Sequence, residues 1–177
     1  FQIVDRDIAH LITGHNIGGR AWREQLCSNS FGYAVNGFTS TSVYYYSPYS
    51  YTYSLKTVSH ELGHNVGSKH THACEWYPDS NWGFVGNGFG GPGNIDNCDM
   101  SSSLFDPSTS CYGSPNEVSL NTTFEYGTIM SYCQSSTQVE LSLQFHPIVK
   151  SQALFPNLIN GCLGMNCFDN ISNICGG

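Results

Sequence analysis

The chain is poor in positive charge: six Lys and Arg stand against thirteen Asp and Glu, a net charge of −7 over 177 residues. No basic cluster interrupts that balance, and an acidic surface repels phosphates, so nucleic acid is excluded as a partner. Long apolar runs are also missing. None approaches the roughly 20 residues that cross a bilayer, and the most aromatic stretch, Val43 to Tyr53, is broken by Ser, Pro and Thr, which excludes a membrane span. No Cys-x-x-Cys pair occurs, which argues against a zinc ribbon or a thioredoxin-like redox site. Neither a Gly-x-Ser-x-Gly elbow nor a paired glycosidase carboxylate signature is present. The chain starts at Phe1 without a signal-like segment and reads as a processed or trimmed product.

What is present is enough to build a core. With 40% hydrophobic and 14% aromatic residues, a chain of this size buries roughly 70% of its unfolded surface, so a disordered tail is ruled out. Eight cysteines (Cys27, Cys74, Cys98, Cys111, Cys133, Cys162, Cys167 and Cys175) are scattered along it. An even number without metal-ligand spacing points to four disulfides and a secreted, extracellular protein, with about 105 connectivities open. Two Asn-x-Ser/Thr sequons, at Asn121 and Asn170, offer glycan acceptors, although such triplets also arise by chance.

Phe1 to Gly14 reads as a strand ending in a turn, Arg20 to Cys27 as a charged edge strand, and Phe31 to Phe38 as a third strand. Thr39 to Tyr53, rich in Ser and Tyr with Pro48 inside, reads as a surface loop. From Tyr53 to Val66, Leu55, Val58, Leu62 and Val66 recur at helical spacing and Gly67 stops the run. Residues 83–119 are dominated by Gly, Asn, Ser, Pro and Cys and read as irregular loops. A late helix is expected from Pro147 to about Leu158, with Ile148, Val149, Ala153 and Leu154 on one side and Pro156 as an early stop.

The chemistry gathers at the end of the first helix, in His60-Glu61-Leu62-Gly63-His64-Asn65-Val66-Gly67-Ser68-Lys69-His70. Positions four apart share a helix face, so His60 and His64 can reach one ion. Gly67 can adopt a left-handed conformation and turn the chain, letting His70 return as third ligand. Three protein ligands leave a fourth position of zinc open for catalysis. Glu61 projects beside the metal, where a carboxylate can take a proton from water. A bare HExxH arises by chance in about one chain in a hundred of this composition, but with Gly67 and His70 added the expectation falls to about a few in a hundred thousand. Surface histidines on an ordinary helix are therefore the weaker explanation.

HELGHNVGSKH resembles the metzincin zinc-protease motif HExxHxxGxxH, and Gly127-Thr128-Ile129-Met130-Ser131-Tyr132 is similar to the Met-turn of that clan. The early segment Arg6-Asp7-Ile8-Ala9-His10-Leu11 and the stretch ending at Cys27 are most similar to its reprolysin, or adamalysin-like, branch. The resemblance implies an α+β, zincin-like catalytic domain: a twisted mixed sheet with the active-site helix in an upper part, 1–67, and a loop-rich, disulfide-held lower part, 68–177, carrying the Met-turn and the C-terminal helix. It also implies that Met130 lies as a hydrophobic base beneath the histidines without ligating zinc.

Two departures stand out. Adamalysins usually have Asp after the third histidine, where this chain has Thr71, so any anchoring of the Met-turn must be done otherwise. Tyr132 is placed like the tyrosine of astacins and serralysins, which ligates zinc and swings away; it is a candidate for that role, against the favoured alternative of an aromatic packed in the pocket wall. Among lesser candidates, His72 reads as a surface histidine rather than a group behind the ligands, and His10, His15 and His146 as structural or solvated. Asp7 lies where the resemblance places a calcium carboxylate. Asp96 and Asp99 could hold calcium, but a solvated disulfide loop is favoured. The favoured pairings are Cys27–Cys162, Cys74–Cys133, Cys98–Cys111 and Cys167–Cys175.

The expected protein is thus a secreted zinc endopeptidase, with a peptide extended across a cleft and added as a strand near Gly19 to Leu26. The alternative is an inactive metzincin-like binding or adhesion module. Only about fifty residues precede the active-site helix, fewer than metzincins normally have. The N-terminal part of the domain is therefore expected to be missing, either cleaved or supplied as a separate chain.

Overall fold

Three short strands lie against the long helix and determine how it is presented. The computed structural model describes residues 7–15, 17–28, 30–37, 43–46, 49–82, 92–96, 127–133 and 141–160. Strand β1 (Ala9–Thr13), β2 (Gly19–Ala21) and β3 (Tyr33–Gly37) form one sheet in the order β1-β3-β2. β1 runs parallel to β3, pairing Leu11 with Val35, and β2 runs antiparallel to it, pairing Gly19 with Asn36 and Ala21 with Ala34. The sheet is therefore mixed, as expected, and β2 is an edge strand. Alternation along β3 sends Ala34 and Asn36 inward, where both are buried.

Two expected strands are shorter than their apolar patterns. β1 occupies only Ala9–Thr13 of the stretch ending at Gly14, whose first six residues lie outside those described. β2 stops at Ala21 because the following residues serve the helix instead. The backbone N–H groups of Glu24, Gln25 and Leu26 donate to the carbonyls of His64, Asn65 and Asn65. These are helix-end carbonyls with no partner inside the helix. Positive φ at Glu24 (58°) and Cys27 (61°) bends the segment into place.

The Tyr-rich stretch is not a loop but a hairpin, β4 (Val43–Tyr46) and β5 (Tyr49–Thr52), with Val43 opposite Thr52. Val, Thr and Tyr favour extended backbone. β5 leads directly into α1 (Tyr53–Asn65), whose first turn is capped by the Thr52 hydroxyl accepting from the Leu55 N–H.

Helix α1 matches its expected span, but its burial does not follow the apolar stripe. Leu55 is 47% exposed, while Lys56, His60, Glu61, Gly63 and Asn65 are buried. The helix turns its chemical face toward the rest of the protein. Asn65, fully buried, donates to the carbonyls of Trp22 and Tyr33 and so ties the helix end to β2 and β3.

The apolar core lies beyond the helix, in Trp76, Ile95, Ile129, Met130, Ile148, Val149, Ala153 and Leu154. The last four come from a helical run, as their spacing predicts: α2 (Pro147–Val149), a π-helical turn (Lys150–Leu154) and α3 (Phe155–Asn160). Pro156 does not stop this run. The ladder has already slipped in register before it, with the Phe155 N–H donating to the Lys150 carbonyl. A π turn at this place absorbs the donor that proline lacks. The stretch 83–119 is outside the described residues except for 92–96, where Gly93 pairs with Trp76 in an isolated bridge.

Candidate metal centre

The C-terminal end of α1 is built to return the chain toward its own face. The Gly67 N–H donates to the His64 carbonyl and the Ser68 N–H to the Gly63 carbonyl, the two bonds of a Schellman ending. Gly67 has φ 113°, and a Cβ there would lie 2.1 Å from Asn157 Nδ2. Both backbone conformation and space therefore require glycine at this corner. The Ser68 carbonyl released by the turn accepts from His64 Nδ1 at 2.8 Å.

Beyond the corner, His70 meets the two helix histidines. His64 Nε2 lies 3.0 Å from His70 Nε2, which lies 3.2 Å from His60 Nε2. His60 Nδ1 donates to the Ile129 carbonyl at 2.7 Å. With the Nδ1 protons of His60 and His64 committed to carbonyls, their Nε2 atoms carry lone pairs. All three rings are held neutral. Burial pushes His60 well below its ordinary value, lowers His64 despite the opposing Ser68 bond, and takes His70 down to about 3, with His64, His72, Lys56 and Arg23 adding to the last shift. Converging lone pairs on neutral rings call for a cation. Tetrahedral zinc, with bonds of roughly 2.0–2.1 Å, spaces nitrogen ligands about 3.3 Å apart, close to the separations here. The donor set fits zinc, and among the described residues it is the group close enough to hold a metal. Asp7 and Asp96 belong to no such group there, and Asp99 lies outside the described residues.

Glu61 is buried beside this cluster, and burial pushes its carboxyl up to about 7 against the opposing pull of the Lys56 ammonium. A Cβ on Gly19 of the edge strand would lie 2.3 Å from Glu61 Oε1 and 2.8 Å from Asn36 Nδ2. The bare backbone of β2 thus passes directly over the carboxylate. Asn36 also bonds His10, through its Oδ1.

The floor of the centre is Met130, fully buried. A Cβ on Gly63 would lie 2.6 Å from Met130 Sδ and 2.9 Å from Phe145 Cε1, so the helix can rest on the sulfur only because Gly63 is bare. Glycine inside a helix costs about 1 kcal/mol relative to alanine; that is the sequence signal that could have marked Gly63 as a contact. The turn itself is fixed by Ser131, whose N–H and hydroxyl both donate to the Thr128 carbonyl.

Several neighbours of the triad were not legible beforehand. Lys56 is buried and donates from Nζ to the Ser131 carbonyl at 2.8 Å. Burial lowers its ammonium to about 8, with Asp96 and Glu61 opposing the shift. Asp96 is itself buried, not solvated as expected. His72 is likewise not a surface residue: it is 5% exposed and stacks on His70 at 4.8 Å between centroids. Tyr132 lies against the same rings, 4.5 Å from His70, 5.1 Å from His72 and 5.8 Å from His60. His10 is part-buried, His15 exposed, and His146 is buried as the cap of α2, accepting the Ile148 N–H on Nδ1. Of the cysteines, Cys27, Cys74 and Cys133 fall among the described residues, and the other five lie outside them.

Comparison with known proteins bears on the same segment. A family model for reprolysin-like metallopeptidases of family M12B matches residues 2–71, which include the sheet, the helix and all three histidines. Mouse disintegrin and metalloproteinase domain-containing proteins 1a and 1b are each 32% identical over 98 residues, 54% of this chain and 11% of theirs. The rat disintegrin and metalloproteinase domain-containing protein 1 is 37% identical over 70 residues, 38% of this chain and 8% of its own. The chain thus aligns with about a tenth of the length of these relatives.

Proposed function

We propose that the chain is a reprolysin-like metzincin and acts as a secreted zinc endopeptidase. The observation that carries this reading is the buried Glu61 carboxylate beside three converging neutral histidines. A bound zinc ion supplies Lewis acidity, lowering the pKa of water and polarising a scissile carbonyl. His60, His64 and His70 hold it, and the Ile129 and Ser68 carbonyls fix the first two rings by accepting their Nδ1 protons.

A peptide lies extended along the free edge of β2 and pairs with it antiparallel. Gly19 permits that approach, because a side chain there would strike Glu61. Glu61 takes a proton from the attacking water and gives it to the leaving amine. Burial raises the pKa of its carboxyl in the metal-free protein, which keeps it a stronger base than a solvated carboxylate. Tyr132, packed on His60 and His70, is the candidate to assist in stabilising the developing oxyanion.

The cysteine content supports secretion and the four disulfides named above. Leu11, Phe31 and Tyr33 are exposed large apolar residues on or beside the sheet. They support a covering segment, upstream or from a separate chain, over the face turned away from α1.

The test is Glu61→Gln, with zinc content measured alongside peptide cleavage. General-base loss lowers turnover about 10²- to 10⁴-fold at unchanged metal occupancy. Retained turnover sinks the mechanism, and failure of the native protein to cleave any peptide in a zinc-dependent manner favours the binding module instead.

A further inference from the structure

A hollow of about 450 Å³ opens beside the metal centre, between Trp22 and Arg23 on one side and Lys69, His70 and Ala73 on the other, and it reaches His64. Arg23 and Lys69 are its charged residues, since the two histidines are neutral. The protein carries a net charge of −7 and six Lys and Arg in all, yet two of those six face this one cleft. Arg23 is exposed, and among the described residues no carboxylate forms an ion pair with it. Lys69 is paired with Glu75, but Glu75 and Glu24 line a separate hollow of about 560 Å³ that Lys69 shares. Lys69 is thus shared between the two hollows, and Arg23 is the cation that, among the described residues, this one holds without a carboxylate paired to it.

Strand direction tells which part of a peptide meets those cations. β2 runs from Gly19, next to Glu61, toward Ala21 and on to Trp22 and Arg23. A peptide antiparallel to it, with its cleaved bond near Glu61, runs the other way, so the residues preceding that bond lie alongside Trp22 and Arg23. We propose that the hollow between Arg23 and Lys69 is a subsite for an acidic side chain of the peptide, on the amino-terminal side of the cleaved bond. This rests on the peptidase reading above and names the substrate class that reading leaves open. Trp22, 58% exposed, supplies the apolar wall against which the methylenes of Glu pack.

The experiment uses one peptide with Glu, Gln or Lys at each of the second, third and fourth positions before its cleaved bond. For the zinc-loaded protein, kcat/KM for Glu over Lys is expected to be about fivefold at the best position, as one exposed ion pair to Arg23 allows, and to shrink at high salt. Arg23→Glu with Lys69→Glu inverts the ratio, and Arg23→Gln alone halves it or more. Binding of the same peptides to zinc-loaded Glu61→Gln, followed by tryptophan fluorescence, gives a second reading that needs no turnover. Equal handling of Glu and Lys peptides, or a preference that survives the double reversal, overturns the subsite while leaving the peptidase intact. Absence of turnover with an acidic preference in binding overturns the peptidase reading and keeps the subsite.

Discussion

Thr71 donates both its backbone N–H and its hydroxyl to the carbonyl of Met130, at 3.1 and 3.2 Å. The residue after the third histidine thereby joins that histidine to the floor beneath it, the anchoring that an Asp provides in the family this chain resembles. Its own carbonyl accepts from the Ile95 N–H at 2.8 Å, so the anchor reaches into the apolar core. Thr71→Val keeps the shape and one of the two bonds. It is expected to cost about 1 kcal/mol, read as a lower Tm of the zinc-loaded protein and faster release of zinc to a chelator. An unchanged release rate would show that the backbone bond alone holds the turn.

Gly63→Ala tests the contact between helix and floor. Alanine adds about 1 kcal/mol of helix propensity but meets Met130 Sδ and Phe145 at distances real Cβ atoms do not show. Overpacking of this kind costs about 1–3 kcal/mol, so the net effect is destabilising and weakens zinc binding by displacing the sulfur. The double variant with Met130→Ala should recover part of that loss. A stabilised single variant would mean that the helix lifts freely off Met130.

The contrast between these two glycine and threonine contacts and the histidines shows what a sequence displays. His60, His64 and Gly67 announce themselves because one helix sets their relation, and His70 needs only one turn more. Lys56 has the same local signal as any solvated lysine; it is buried because α1 turns its polar face inward and because Ser131, seventy-five residues on, offers a carbonyl at that point. His72 disappears from the surface by stacking on His70. The arrested β2 strand follows from helix-end carbonyls that belong to another part of the chain. Local pattern thus foretells the ligands, while the groups that press on them are set by tertiary packing.

Metal removal should be felt as lost stability, since an ion bound only by the native triad stabilises it by mass action, about 2.7 kcal/mol at a hundred times Kd. Because the ring pKa values are lowered, with His70 at about 3, protons compete weakly for these nitrogens. As pH falls through the ordinary histidine range near 6.5, zinc affinity is expected to fall with a slope of no more than one proton, that of the raised Glu61 carboxyl, measured by competition with a chromophoric chelator. A loss of affinity beginning near pH 6.5, with slope above one proton, would contradict the neutral triad.

His146 predicts a separate acid sensitivity away from the metal. Its pKa is lowered by burial first and the Lys150 charge second, to about 4 against an ordinary 6.5. The unfolded chain therefore binds a proton between those values that the folded chain does not. Stability from this group is complete above pH 6.5 and is lost progressively as pH falls toward 4. The 1% exposed ring makes this worth about 3 kcal/mol. His146→Asn can keep the cap on α2, because its amide oxygen accepts the Ile148 N–H, but it carries no titrating proton. Chelated protein should then show a shallower fall in denaturation midpoint from pH 6.5 to 4 in the variant than in the native chain. Equal slopes would mean that the imidazole is protonated in the folded state, with its buried Nε2 satisfied as a donor.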